Sequence, residues 1–271
     1  MLKRLIKYDT RVISRVAIPM FIASGIISLL CCAVLYFTFG FAEEINSIFN
    51  ALMMTGGLYL IGIITIFLMF VIVLFTTISR YYKSVFTDEG YLNMTIPVTK
   101  KQFLDSKIIS GVIWFLLTAF VAWACVFIAI ILPTLLYDTA LISSVWQIIK
   151  SNVDATKTEM SFMLASLFID LFISLIATFK DVTLVIAAIT LGSVLFKRSK
   201  IFASVVFYFV IGFAEELFED TVKALVSVVT TDNAWMELVI NSAIELVIVC
   251  ITGAVMYVVA LGILNKKLNL E

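Results

Sequence analysis

Charged residues thin out along six stretches of this chain, at 16–41, 56–79, 108–137, 160–196, 201–229 and 235–264. An α-helix rises 1.5 Å per residue, so about 20 apolar residues cover the ~30 Å of hydrocarbon in a bilayer. Each stretch therefore predicts a membrane-spanning helix, and the longer ones, the fourth above all, have to tilt, bend or project beyond the lipid. Ahead of the first span, "MLKRLIKYDTRVISR" sets Leu2, Leu5, Ile6 and Ile13 towards one face and Lys3, Arg4, Lys7 and Arg11 on the rest. That pattern predicts an amphipathic helix over 1–15 lying on the inner leaflet; the alternative is a frayed basic tail that only sets topology.

The polar positions then orient the spans. With the N-terminus inside the cell, all of the nineteen basic residues except Lys150, Lys157, Lys180 and Lys223 fall on the cytoplasmic side. So uneven a split follows the positive-inside rule and puts both termini in the cytoplasm. Cutting the fourth stretch at Lys180 and Asp181 would give seven spans and send Lys197, Arg198 and Lys200 outside, so it is kept whole. The fold class expected is all-α: a polytopic membrane protein of six transmembrane helices, forming one transmembrane domain over 1–271. An outer loop follows at 138–159, and an acidic outer segment at 214–240.

Composition sharpens what such a protein can be. The 271 residues are 62% hydrophobic and 14% charged, far from the ~25% charged expected of a soluble domain. Net charge is zero, which gives no sign of a nucleic-acid partner. Histidine is absent, removing the commonest metal ligand and neutral-pH general base. Cys31, Cys32, Cys125 and Cys250 lie inside apolar runs, without metal or redox spacing. No glycine-rich loop ends in Gly-Lys-Ser or Gly-Lys-Thr, so no cofactor site is expected, and any ATP that drives the protein is hydrolysed by another chain. Serines such as Ser24, Ser28 and Ser174 have no histidine to activate them, and the chain is not expected to be an enzyme. The first apolar run is too long for a cleavable signal and is expected to stay as a span.

One long polar segment interrupts the pattern, "FTDEGYLNMTIPVTKKQFLDSK" at 86–107, on the cytoplasmic side between spans two and three. Thr99 followed by Gln102 makes a capping box, which predicts a helix starting at Lys100 and running unbroken into span three. Pro97 fixes the backbone before that start. Thr87 and Asp88 can cap a short turn upstream, and Gly90 permits a sharp change of direction. Phe86, Tyr91, Leu92, Met94 and Phe103 are poor choices for plain solvation. An ordered elbow over 80–107 follows, which either docks a partner or packs back on the headgroups.

This segment resembles the one between spans two and three in the type-2 exporter permeases, a bacterial family of ABC transporter permeases. Members commonly carry Asp-Glu-Gly-Tyr-Leu, then Thr-x-Pro-Val-Thr or Thr-x-Pro-Val-Ser, then Ser-Lys opening the next span. Here those positions are Asp88, Glu89, Gly90, Tyr91, Leu92, Thr95, Pro97, Val98, Thr99, Ser106 and Lys107. The ending "NKKLNLE" is similar to the family's usual one, and six spans with both ends inside fit along the whole chain. The resemblance implies a permease subunit in the bacterial plasma membrane, moving cargo outward. Its partners would be two copies of an ABC ATP-binding subunit, a second permease subunit and membrane lipid. Asp88, Glu89, Gly90, Tyr91, Leu92, Thr95, Pro97 and Thr99 would couple the ATPase to the spans, with the amphipathic N-terminal helix beside them.

The other polar signal lies in the last three spans, at Lys180, Asp181, Glu215, Glu216, Glu219, Asp220 and Glu245, with Lys223 beside them. Counting along the helices from the turn at 197–200 puts Lys180 and Glu216 both about 24 Å up. Glu215 with Glu219, and Glu216 with Asp220, are like-charge pairs four apart that call for cations or water. Lys223 is one partner and Lys180 the second, which predicts an acidic outer vestibule formed by spans four to six; the bland alternative is an interfacial helix whose acids meet headgroups and water. An ion-coupled secondary transporter or channel without an ATPase partner is the alternative function. It would want ionisable groups near the midplane, which this count leaves apolar.

Overall fold

The computed structural model describes residues 2–40, 48–87, 98–137, 157–196, 200–227 and 234–266. Among them the chain is helical, with no strand. The helices are α1 (Leu2–Gly40), α2 (Ile48–Phe86), α3 (Lys100–Val126), α4 (Leu132–Tyr137), α5 (Lys157–Leu195), α6 (Lys200–Ser227) and α7 (Ala234–Lys266). Five contain stretches long and apolar enough to cross a membrane: Leu2–Tyr36, Leu60–Phe86, Lys100–Ala129, Ala165–Leu195 and Val239–Asn265. The chain is thus an all-helical, multi-pass membrane protein. Helix α6 carries Glu215, Glu216, Glu219 and Asp220 in its second half.

Three expectations about individual helices can be compared directly. Helix α5 is one unbroken helix through Lys180 and Asp181, as the charge rule required. Helix α3 begins at Lys100, and the Gln102 N–H donates to Thr99 Oγ1 at 3.3 Å, the capping bond that the sequence pattern called for. The segment 1–15 differs. It is no separate element, since α1 runs from Leu2 to Gly40 without interruption, Pro19 included. Of the outer loop expected at 138–159, residues 157–159 already belong to α5 and 138–156 lie outside the described residues, as do residues 228–233 of the acidic segment and the last five residues.

Between α3 and α4 the helix widens into a π turn at Phe127–Ile131, where the Leu132 N–H bonds back to the Phe127 carbonyl. Pro133 gives the reason: it has no N–H to donate and its ring crowds the preceding turn, and the extra residue takes up that strain.

The contacts group the residues into two compact units. One comprises 11–76 and 114–160 and is built on apolar packing. Ile13, Ala17, Val73 and Trp114 form its buried cluster, with Phe21 against them and the Phe21 and Trp114 rings 6.1 Å apart. Ser24 sits inside it, donating to the Phe21 carbonyl at 2.9 Å and facing Met69 and Cys125. The hydroxyl is satisfied by its own helix, so it adds polarity without a reactive partner.

The other unit comprises 1–10, 77–113 and 161–271 and carries nearly all the paired charge among the described residues. Its α5–α6 hairpin closes tightly at Gly192, where an added Cβ would stand 2.5 Å from the Ser204 nitrogen and 2.7 Å from its Cα. Only glycine allows so close a backbone approach. The base of α3 is tied to the end of α7 by Lys100, whose Nζ donates to the Leu264 carbonyl at 2.9 Å. A cation there meets the unpaired carbonyls at a helix C-terminus, the favourable end of the helix dipole.

Candidate functional site

Of the eight residues expected to couple to an ATPase, Asp88, Glu89, Gly90, Tyr91, Leu92, Thr95 and Pro97 lie outside the described residues, and Thr99 alone is placed, at the mouth of α3. What is described is the base formed by the helix ends on either side. The Thr87 hydroxyl donates to the Lys83 carbonyl at 2.6 Å, closing α2, while the turn that Thr87 and Asp88 were expected to cap lies outside the described residues. Beneath it Tyr81 and Val85 are fully enclosed, and Tyr81 stacks edge-on against Phe86.

At that base lies a buried charge cluster which sequence inspection missed. Asp9 is 1% exposed and Lys107 6% exposed, and Lys107 Nζ stands 2.6 Å from Asp9 Oδ1. Arg80 Nε is 3.5 Å from the same oxygen, and its guanidinium lies 5.0 Å from the centre of the Tyr8 ring. One carboxylate thereby joins α1, the end of α2 and the start of α3. Charges removed from water are tolerated only when paired and well hydrogen-bonded, so three helices have to keep this register. The signal was present in the sequence: Asp9 falls four residues before Ile13 and three or four after Leu5 and Ile6, in the middle of the apolar stripe of α1. That stripe is lipid-facing in the interfacial expectation, whereas the structure buries Asp9 within this unit and Ile13 within the other.

The second constellation is the set of charges on α5, α6 and α7. Lys180 Nζ lies 3.1 Å from Glu215 Oε1 and 3.1 Å from Asp181 Oδ1. The Thr252 hydroxyl on α7 lies 3.1 Å from Glu215 Oε1 and 2.8 Å from the Ile248 carbonyl of its own helix, so its one proton is shared between them; Glu215 thus touches both α5 and α7, and its side chain is only 8% exposed. Lys223 bonds Glu219 at 2.6 Å along α6 and reaches Glu245 on α7 at 3.9 Å. The structure therefore brings Lys180, Asp181 and Glu215 together in one group and Lys223, Glu219 and Glu245 in a second. Lys180's ion-pair partner on α6 is Glu215, and the side chains of Glu216 and Asp220 are exposed.

Gly253 lies against the Lys180 stem, its would-be Cβ 3.5 Å from Lys180 Cβ. Measured along α7 from Asn265, Thr252 and Gly253 stand about 18 to 20 Å up. Lys180 and Thr252 each lie within a helical stretch long and apolar enough to cross a membrane. Ionisable groups within such stretches are costly and, when present, mark pathways for ions or substrates.

Two cavities adjoin this group. One of about 450 Å³ runs between α5 and α6 and carries Asp181, Glu216 and Glu219 beside Tyr208, Phe209 and Phe213. The other, about 590 Å³, is walled mainly by apolar side chains of α3, α5 and α7, with Asp105 and Tyr257 at one end. There the Tyr257 hydroxyl donates to Asp105 Oδ1 at 2.6 Å. No group of three or more His, Cys, Asp or Glu residues among those described is arranged to hold a metal ion. Comparison of the chain with protein-family models, with curated proteins and with solved structures returns no match in any of the three.

Proposed function

We propose that this chain is the membrane-spanning permease subunit of an ABC exporter. Its six spans would have both termini in the cytoplasm of a bacterial cell, and it would move cargo outward on ATP hydrolysed by a separate subunit. The observation that carries this is the Asp9–Lys107–Arg80 cluster. One buried carboxylate there grips α1, the end of α2 and the start of α3, the two helices that the polar segment 88–97 joins in sequence. Helix ends so tied would pass a push into α3 instead of absorbing it, which is what a docking elbow for an ATPase requires. The capped start of α3 at Thr99 supports the same role, as does the resemblance of 86–107 to the exporter permeases. The test is co-purification of the full chain with candidate ATP-binding subunits in lipid, followed by ATPase assays. Gly90→Val, or Pro97→Ala with Tyr91→Ala, is expected to leave insertion intact and abolish stimulation; stimulation unchanged in both variants would overturn the role.

The Lys180–Glu215 pair favours a second reading, an ion-coupled secondary transporter or channel, because an ion pair between helices of a membrane domain is the kind of group on which coupling ions act. Transport driven by an ion gradient in proteoliposomes without any ATPase would establish that reading over the first.

A further inference from the structure

We propose that Lys180 is the removable wall between two halves of one binding site, and that the site takes an amphipathic organic cation, an ammonium or phosphonium group on an apolar body. Lys180 lines both cavities. On one side the space of about 590 Å³ is apolar, and its ionisable residues are engaged within the protein: Asp105 takes the Tyr257 hydroxyl, and Lys180 itself is held by Asp181 and Glu215. What that half offers a ligand is hydrophobic contact.

On the other side, the cavity wall that includes Lys180 carries four carboxylates, Asp181, Glu215, Glu216 and Glu219. Even with Lys223 on Glu219, the acids outnumber the bases. An excess of negative charge on one wall suits a cationic ligand. The aromatic faces of Tyr208, Phe209 and Phe213 in the same wall favour one with a weakly hydrated head, by cation–π attraction. A ligand's head taking the place of Lys180 Nζ at Glu215 exchanges one positive charge for another, so the buried carboxylate keeps its compensation and Lys180 retains Asp181. Removing Lys180 from between the cavities joins them, and the apolar body then has the larger half to enter.

This names a cargo class for the transport function proposed above, yet it can be tested without an ATP-binding subunit. The full chain in phosphatidylcholine nanodiscs is titrated with tetraphenylphosphonium, and separately with tetraphenylborate, the same shape with the opposite charge; empty nanodiscs give the lipid background. Saturable phosphonium binding is expected, with no saturable binding of the borate. Glu216→Gln, at an exposed side chain that the fold does not need, removes one charged contact and is expected to weaken phosphonium affinity about tenfold. Lys180→Met removes the competing ammonium and is expected to tighten it by a similar factor, whereas a merely structural lysine would give weaker binding or none. The proposal is overturned if phosphonium does not saturate above the lipid background, if the borate binds equally well, or if Glu216→Gln leaves affinity unchanged. A negative result here leaves ATPase stimulation unaffected, and failure to recruit an ATPase leaves the cation site standing.

Discussion

Lys107 Nζ meets Asp9 Oδ1 at 2.6 Å across 98 residues of sequence, with both side chains closed off from solvent. This contact makes the N-terminal helix part of the same rigid base as the ends of α2 and α3. Asp9→Ala takes from Lys107 and Arg80 the carboxylate they share, and unfolding in detergent is expected to show a loss of about 3 to 5 kcal/mol. Combining Asp9→Ala with Lys107→Met should recover part of that loss, since one of the two cations that lost the carboxylate is removed with it. Additive losses in the double variant would mean that the two residues do not act as a pair.

Helix α3 owes its start to Thr99. Thr99→Ala removes the acceptor for the Gln102 N–H, at a cost of about 1 kcal/mol. Hydrogen exchange at Gln102 is expected to speed up roughly fivefold while Thr99→Ser stays close to the parent. If the exporter function holds, ATPase stimulation falls in the same variant.

The α5–α6 hairpin depends on the missing side chain at Gly192. Gly192→Ala forces a Cβ onto the Ser204 backbone and is expected to cost about 1 to 3 kcal/mol, and Gly192→Val more. Thermal unfolding of the purified variants checks this. Gly212→Ala, where an added Cβ meets nothing within 4 Å, is the control.

Lys180 and Glu215 are expected to be coupled and Lys180 and Glu216 not. In double-mutant cycles on unfolding free energy, Lys180→Met with Glu215→Gln should deviate from additivity by about 1 kcal/mol or more, and Lys180→Met with Glu216→Gln by less than about 0.5 kcal/mol. Equal coupling in both cycles would place the ammonium between the two acids instead of on Glu215.

Orientation is accessible through Lys101, exposed one residue inside α3. Lys101→Cys, in a chain whose Cys250 has been replaced, is expected to react with an impermeant maleimide in inverted vesicles and not in intact cells. Cys31, Cys32 and Cys125 are buried and should stay silent. Labelling from outside intact cells would reverse the assigned topology and remove the docking elbow with it.

Much of this was legible without coordinates. The apolar runs determine helices long enough for a bilayer, because backbone polar groups in hydrocarbon have to be satisfied within the segment. Thr99 with Gln102 determines where α3 begins, since capping is a contact between residues three apart. Lys223 with Glu219 follows from the same short range.

Tertiary structure alone decided the rest. Asp9 looked like one more charge on a basic amphipathic tail, and its burial depends on Arg80 and Lys107 arriving from helices far along the chain. The choice of Glu215 over Glu216 for Lys180 turns on a 100° rotation about α6, which no spacing within one helix reveals. That Thr252 and Gly253 of α7 lie against this pair was likewise decided by the fold, because distance along a single helix says nothing about which residues of its neighbours it meets.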